Sequence, residues 1–184
     1  MKILNIGLFG FGCVGQGLYY VLNHSTGFKA NIKKIGVKDR NKKRIVSANM
    51  ITYDKYEILN DPEIDVVVEL IDDATEAFEI VKTAITNGKH VVTANKKMLA
   101  ENFAELYKLQ QDNKVALIYE GSAGGSIPII RNLEEYYDNE LLSNLRGLLN
   151  GSCNYILTRM ELENMDYGDA LKKAQESGFA ESDP

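Results

Sequence analysis

Little is scarce in this sequence, but each scarcity excludes a class of protein. Its two cysteines, Cys13 and Cys153, cannot build a disulfide scaffold, lack the paired spacing of a metal site, and stand near no His–Asp arrangement that would activate a thiol. No basic start, apolar core and cleavage site opens the chain, so a reducing cytosol is the expected compartment. No apolar run approaches the roughly 20 residues of a membrane helix; even DVVVELI at 65–71 is short and carries acids. Only three prolines and 15 glycines, with no repeat, argue against collagen-like and disordered readings. Cations form no long block within a net charge of −5, so neither nucleic acid nor a membrane surface is expected, and a small molecule is the better partner. What is present, 45% hydrophobic and 26% charged residues over 184 positions, suits one domain, or one domain and the beginning of another.

Residues 3–9, ILNIGLF, form the near-continuous apolar run of a parallel strand covered on both faces. A glycine cluster ends it, and Val14, Leu18, Val21 and Leu22 then recur at the spacing of one helix face. Residues 32–37 predict a second strand, 38–44 a basic polar loop, and 65–71 a third strand. Asp73 with Glu76 has capping-box spacing, Ala77, Val81, Ala84 and Ile85 make an apolar stripe, and Asn87-Gly88 supplies the stop. A strand at Val91 and Val92, a helix over 98–111 and a strand over 115–119 complete the alternation. This predicts an α/β fold, a Rossmann-type doubly wound parallel sheet, over residues 1–120.

The pattern then changes. A loop with three glycines spans 120–126, Pro128 opens a helix to about residue 137, 145–149 resembles a strand, and helices follow over 155–163 and 169–177, capped by Gly178. Residues 121–184 are therefore expected to begin an α+β substrate domain.

Gly10-Phe11-Gly12-Cys13-Val14-Gly15 is G-x-G-x-x-G directly after a strand and directly before a helix, the context a dinucleotide fingerprint requires. Gly10 permits the tight turn, Gly12 lets the backbone approach a pyrophosphate, Gly15 allows close helix–strand packing, and the helix N-terminus faces the phosphate charge. At the end of the second strand an acid would bind ribose hydroxyls, whereas cations would welcome a 2′-phosphate. Both occur: Asp39 is flanked by Lys38 and Arg40, which favours NADP and leaves NAD open. Lys42, Lys43 and Arg44 individually read as a solvated loop.

Five stretches carry a resemblance to homoserine dehydrogenase: residues 10–15; VVVELI at 66–71; GKHVVTANK at 88–96; EGSAGGSIPII at 120–130; and LNGSCNYIL at 149–157, joined by GFAESDP at 178–184. The resemblance implies NAD(P)H-dependent reduction of L-aspartate 4-semialdehyde to L-homoserine, on the pathway to threonine and methionine. It makes Lys96 the group that meets charge developing on the carbonyl oxygen, and Glu181 a clamp for the substrate ammonium. It places Gly151 and Ser152 at the substrate, although both also suit a plain strand-to-helix turn with Ser152 as N-cap. Cofactor contacts are implied at Asp72, Thr93 and Asn95. The backbone oxygens of Glu120, Ala123, Gly125 and Ile127 are implied to hold a monovalent cation, Na+, and the second domain a homodimer.

The chain departs from the family pattern at Asp72-Asp73, which replace a glycine pair, at Ser152, which replaces threonine, and at Phe179, which replaces tyrosine. It also stops at Pro184, whereas family members continue into a segment supplying an aspartate and a second lysine. The expectation is thus a truncated chain that binds cofactor better than it catalyses; the alternative is a catalytically inactive dinucleotide-binding module. A semialdehyde-phosphorylating enzyme is disfavoured, because Cys153 lies beside no base.

Overall fold

The computed structural model describes residues 3–27, 30–125 and 127–180. Two compact units divide the chain between Ser122 and Ala123.

The first unit is a six-stranded parallel sheet. In chain order it comprises β1 (Leu4–Phe9), α1 (Cys13–His24), β2 (Ala30–Gly36), β3 (Ile51–Thr52), α2 (Tyr56–Leu59), β4 (Val66–Glu69), α3 (Ala74–Thr86), β5 (His90–Thr93), α4 (Lys96–Asn113) and β6 (Leu117–Ile118). The strand order is β3-β2-β1-β4-β5-β6, the arrangement of dinucleotide-binding sheets, with its switch point between β1 and β4. Successive residues of the apolar strands point to opposite faces: Val67 joins Ile80, Val81 and Leu106 on one face, and Val68 joins Leu8 and Ile35 on the other. Burial on both faces is why these strands read as continuous rather than alternating apolar runs. Asp73 caps α3 by accepting the Glu76 N–H at 3.0 Å, and Gly88 follows the helix at φ 73°. Among the described residues no helix is long and apolar enough to cross a membrane.

Several local expectations are corrected. Val14 and Val21 are exposed, and the inward face of α1 is Gly15, Leu18, Tyr19 and Leu22; the small Gly15, invisible to an apolar count, sets the helix against the sheet. The two-residue β3 escaped prediction because a pair of residues has no periodicity. β6 is shorter than 115–119, since Val115 N–H is still bound to the α4 carbonyl of Gln110 at 3.1 Å.

Described by itself, the second unit is helical: α5 (Glu120–Ala123) leads into it, followed by α6 (Ile129–Glu135), α7 (Gly151–Glu163) and α8 (Tyr167–Glu176). Ile156 packs against Ala170 and Ala174 between α7 and α8. Residues 120–126 are not all loop, because α5 forms a helical turn there. Residues 145–149 form no strand: Leu145, Leu148 and Leu149 are exposed, and without a ladder partner an extended segment stays irregular.

Leu106 is fully buried, whereas Val21 is 58% exposed. Leu106→Ala is expected to cost about 2–5 kcal/mol in urea unfolding. Val21→Ala is expected to change stability by less than about 0.5 kcal/mol.

Candidate functional site

The turn between β1 and α1 is built by glycines under different constraints. Gly10 has φ 92°, and a Cβ there would lie 2.6 Å from the Leu70 carbonyl oxygen in the turn after β4. At Gly15 a Cβ would meet the Gly10 oxygen at 2.4 Å, so the helix sits on the turn only because the side chain is absent. At Gly12 a Cβ would meet nothing within 4 Å. Packing of the protein against itself therefore does not require glycine at this position; the backbone there faces open space. Gly12 is also the N-cap of α1 and makes no side-chain cap, which leaves first-turn N–H donors available to an anion.

This turn opens on a crevice of about 810 Å³ in the first unit. Gly10, Phe11 and Gly12 line one part of it, Lys38, Asp39, Lys42 and Arg44 another, Tyr53, Lys55 and Tyr56 a third, and Ile71 and Asp72 the tip after β4. Of the residues expected to meet a cofactor, Gly10, Phe11, Gly12, Lys38, Asp39 and Asp72 thus share one surface. Cys13, Val14 and Gly15 form the first turn of α1 and do not line it; Gly15 is buried beneath, and the other two are exposed. Arg40 is not part of the lining either; its guanidinium lies 4.4 Å over the Tyr53 ring. Lys42 and Arg44 also line the crevice, Lys42 as an exposed side chain of the loop. Tyr53, Lys55 and Tyr56 carried no signal, because they follow a strand too short to be recognised.

The charges here are unevenly satisfied. Lys55 pairs with Glu76 at 3.0 Å, which holds its ammonium above the ordinary lysine range, and Lys38 lies 3.5 Å from Asp73. An Asp39 oxygen accepts the Asn41 N–H at 2.8 Å, so its carboxylate shapes its own loop. Arg44 donates from Nη1 to the Lys42 carbonyl at 2.8 Å, while its buried Nε has no partner among the described residues.

Beyond the crevice lining, Thr93 and Asn95 are buried, and their polar atoms are committed inside the protein. Thr93 donates to Glu69 at 2.6 Å, and Asn95 caps α4 by accepting the Met98 N–H at 3.0 Å. Lys96 is exposed as the first residue of α4. Glu69, the last residue of β4, was not anticipated as a site residue, although an acid interrupting a Val-Val-Val run was the visible signal. Burial pushes its carboxyl above the ordinary glutamate range, against the opposing effect of hydrogen bonds from Thr93 and the Ile71 N–H.

In the second unit Gly151 opens α7, but the N-cap is Asn150, which accepts the Cys153 N–H at 2.9 Å, and not Ser152. The Ser152 hydroxyl instead donates to the Phe179 carbonyl, and the Phe179 ring stacks on Tyr155 at 4.7 Å. Of the expected cation ligands, Glu120 falls in the first unit and Ala123, Gly125 and Ile127 in the second, where the Ile127 carbonyl already accepts the Ile129 N–H at 2.8 Å. Glu181 lies outside the described residues.

Two family models match the chain: "Homoserine dehydrogenase, NAD binding domain" over residues 10–120 and "Homoserine dehydrogenase" over residues 128–184. The homoserine dehydrogenase of Bacillus subtilis is 38% identical to it, over all of this chain and 45% of the relative. The crystal structure of a homoserine dehydrogenase from Thiobacillus denitrificans superposes with a TM-score of 0.85 at 36% identity, over all of this chain and 44% of that one. A hyperthermophilic archaeal homoserine dehydrogenase mutant in complex with NADPH superposes with a TM-score of 0.78 at 25% identity, over all of this chain and 64% of its own. The chain thus spans less than half the length of the first two.

Glu69 gives a pH test. A carboxyl whose pKa is raised on folding contributes stability that is full below the unfolded glutamate pKa and is lost as pH rises through the folded one. Glu69→Gln removes that loss, so in urea unfolding the variant is expected to gain on the wild type as pH rises from about 4 to about 7.

Proposed function

The chain belongs to the homoserine dehydrogenase family, and from that premise we propose that it supplies the nicotinamide-cofactor site of an enzyme reducing L-aspartate 4-semialdehyde to L-homoserine. The observation that carries the reading is Gly12: open space over an uncapped helix N-terminus, at the switch point of a 3-2-1-4-5-6 sheet, suits a pyrophosphate and has no purpose in internal packing. On this reading residues 1–120 form the NAD(P)-binding domain and 121–184 a portion of the catalytic domain.

When bound, the reduced nicotinamide supplies a hydride to the aldehyde carbon. The role of this chain's residues is to hold, orient and protonate. Lys96 offers its ammonium to the carbonyl oxygen as negative charge develops there, and it gives up the proton that completes the alcohol. Glu181 takes the substrate ammonium, and the Gly151 N–H and Ser152 hydroxyl add neutral polar contacts. NADP is the preferred cofactor in this reading. One Asp39 carboxylate oxygen is occupied by the Asn41 N–H, while Lys42 and Arg44 line the same crevice and bring positive charge that suits a 2′-phosphate. A monovalent cation on the backbone oxygens of Glu120, Ala123, Gly125 and Ile127, and a homodimer, belong to the same reading; no step is routed through either.

Three variants test it. Gly12→Ala meets no neighbouring atom, so it is expected to melt with the wild type yet bind NADPH at least about tenfold more weakly; unchanged affinity sinks the pyrophosphate assignment. Lys42→Ala combined with Arg44→Ala is expected to cut the preference for NADPH over NADH by about tenfold or more in parallel titrations. Lys96→Ala is expected to lower the rate of NADPH-dependent semialdehyde reduction by about a hundredfold or more, with NADPH affinity retained. Binding without turnover in the unmutated chain assigns it cofactor binding alone.

A further inference from the structure

Glu69 is completely buried at the carboxyl end of β4, the edge where open α/β sheets hold their ligands. Burial acts on it against the two hydrogen bonds from Thr93 and Ile71, with no cation contributing among the described residues. Burying a carboxyl without a counter-charge is costly, and a fourth valine after Val66, Val67 and Val68 would avoid that cost. Core packing therefore does not account for the residue, but its hydrogen bonds do. Oε1 accepts the Ile71 N–H at 2.7 Å and Oε2 accepts the Thr93 hydroxyl at 2.6 Å. The same Thr93 oxygen accepts the Asn95 N–H at 3.1 Å, and Asn95 Nδ2 returns to the Ile71 carbonyl at 3.1 Å. These four bonds close a ring between the turn after β4 and the turn after β5. The remaining side-chain oxygen of Asn95 caps α4 through the Met98 N–H, and Lys96 is that helix's first residue. The ring also includes the backbone of Ile71, which with Asp72 lines the crevice.

We infer that Glu69 is a positioning residue, which locks the Ile71-Asp72 wall of the crevice to the helix start that carries Lys96. A carboxylate suits the place because it offers two acceptors at once, one for a backbone N–H and one for a hydroxyl whose own oxygen is already accepting. Glutamine, with one acceptor oxygen and one amide donor, can still bridge Ile71 and the Thr93 oxygen, whereas leucine fills the volume and opens the ring. The consequence for turnover rests on the reading of Lys96 as proton donor; the lock itself does not.

Residue-resolved amide hydrogen exchange on this chain separates the two. In Glu69→Leu the amides of Ile71, Asn95 and Met98 are expected to exchange at least about tenfold faster, while those of Val81 and Leu106 stay within about twofold of the wild type. In Glu69→Gln all five are expected within about threefold. Thr93→Val cuts the ring from the other side and is expected to repeat the local loss; it decides the matter if Glu69→Leu does not fold, and Thr93→Ser is expected to restore protection. Unchanged exchange at Asn95 and Met98 overturns the proposal, as does a loss spread equally to Val81 and Leu106, which marks a merely structural role. A failure of the functional reading shows elsewhere, as absent NADPH binding by the unmutated chain, and leaves the exchange pattern to decide the role of Glu69.

Discussion

The first unit depends on one close approach, where the chain turning out of β1 lies directly on the turn after β4 and α1 lies directly on that turn. At Gly10 a side-chain carbon would come to 2.6 Å from the Leu70 oxygen, and at Gly15 to 2.4 Å from the Gly10 oxygen. Neither gap admits even a methyl group. This stacking brings a helix N-terminus with uncapped N–H groups to the switch point between β1 and β4, where the space over Gly12 remains open. The crevice opens beside that turn, with Phe11 and Ile71 among its lining residues.

Around this backbone arrangement most charges are met locally. Outside the crevice Lys33 lies 2.7 Å from Asp61, Lys82 2.8 Å from Glu105, and Lys89 donates to the Asp61 and Ile64 carbonyls. In the crevice Lys55 is likewise paired with Glu76 and Lys38 lies 3.5 Å from Asp73, whereas the buried Arg44 Nε has no partner among the described residues. A buried donor with no acceptor costs free energy in the isolated protein. Glu69 is the reverse case: an acid fully buried but fully bonded, its cost met by a closed ring of hydrogen bonds that ties two loops together.

Much of this architecture was legible in the sequence, because the signals were short-range and periodic. The apolar run at 3–9, the capping pair Asp73 and Glu76, the stripe ending at Asn87-Gly88 and the glycine spacing at 10–15 each state a local conformation that neighbouring residues enforce. The failures share one cause, which is dependence on distant partners. Val14 and Val21 fit a helical stripe, yet which face turns inward was settled by the contact of Gly15 with Gly10. Residues 145–149 have strand composition but no neighbour to pair with. Tyr53, Lys55 and Tyr56 reach the crevice because a two-residue strand happens to deliver them there.

The order of strands and helices, the helix caps and the position of the glycine turn follow from residues within a few places of one another, so the linear chain determines them. Which loops come together at the crevice, and why a glutamate stands at the end of a valine run, depend on groups distant in the chain, 24 residues apart for Glu69 and Thr93. Only folding brings such groups within hydrogen-bond reach, and only burial turns that reach into a constraint.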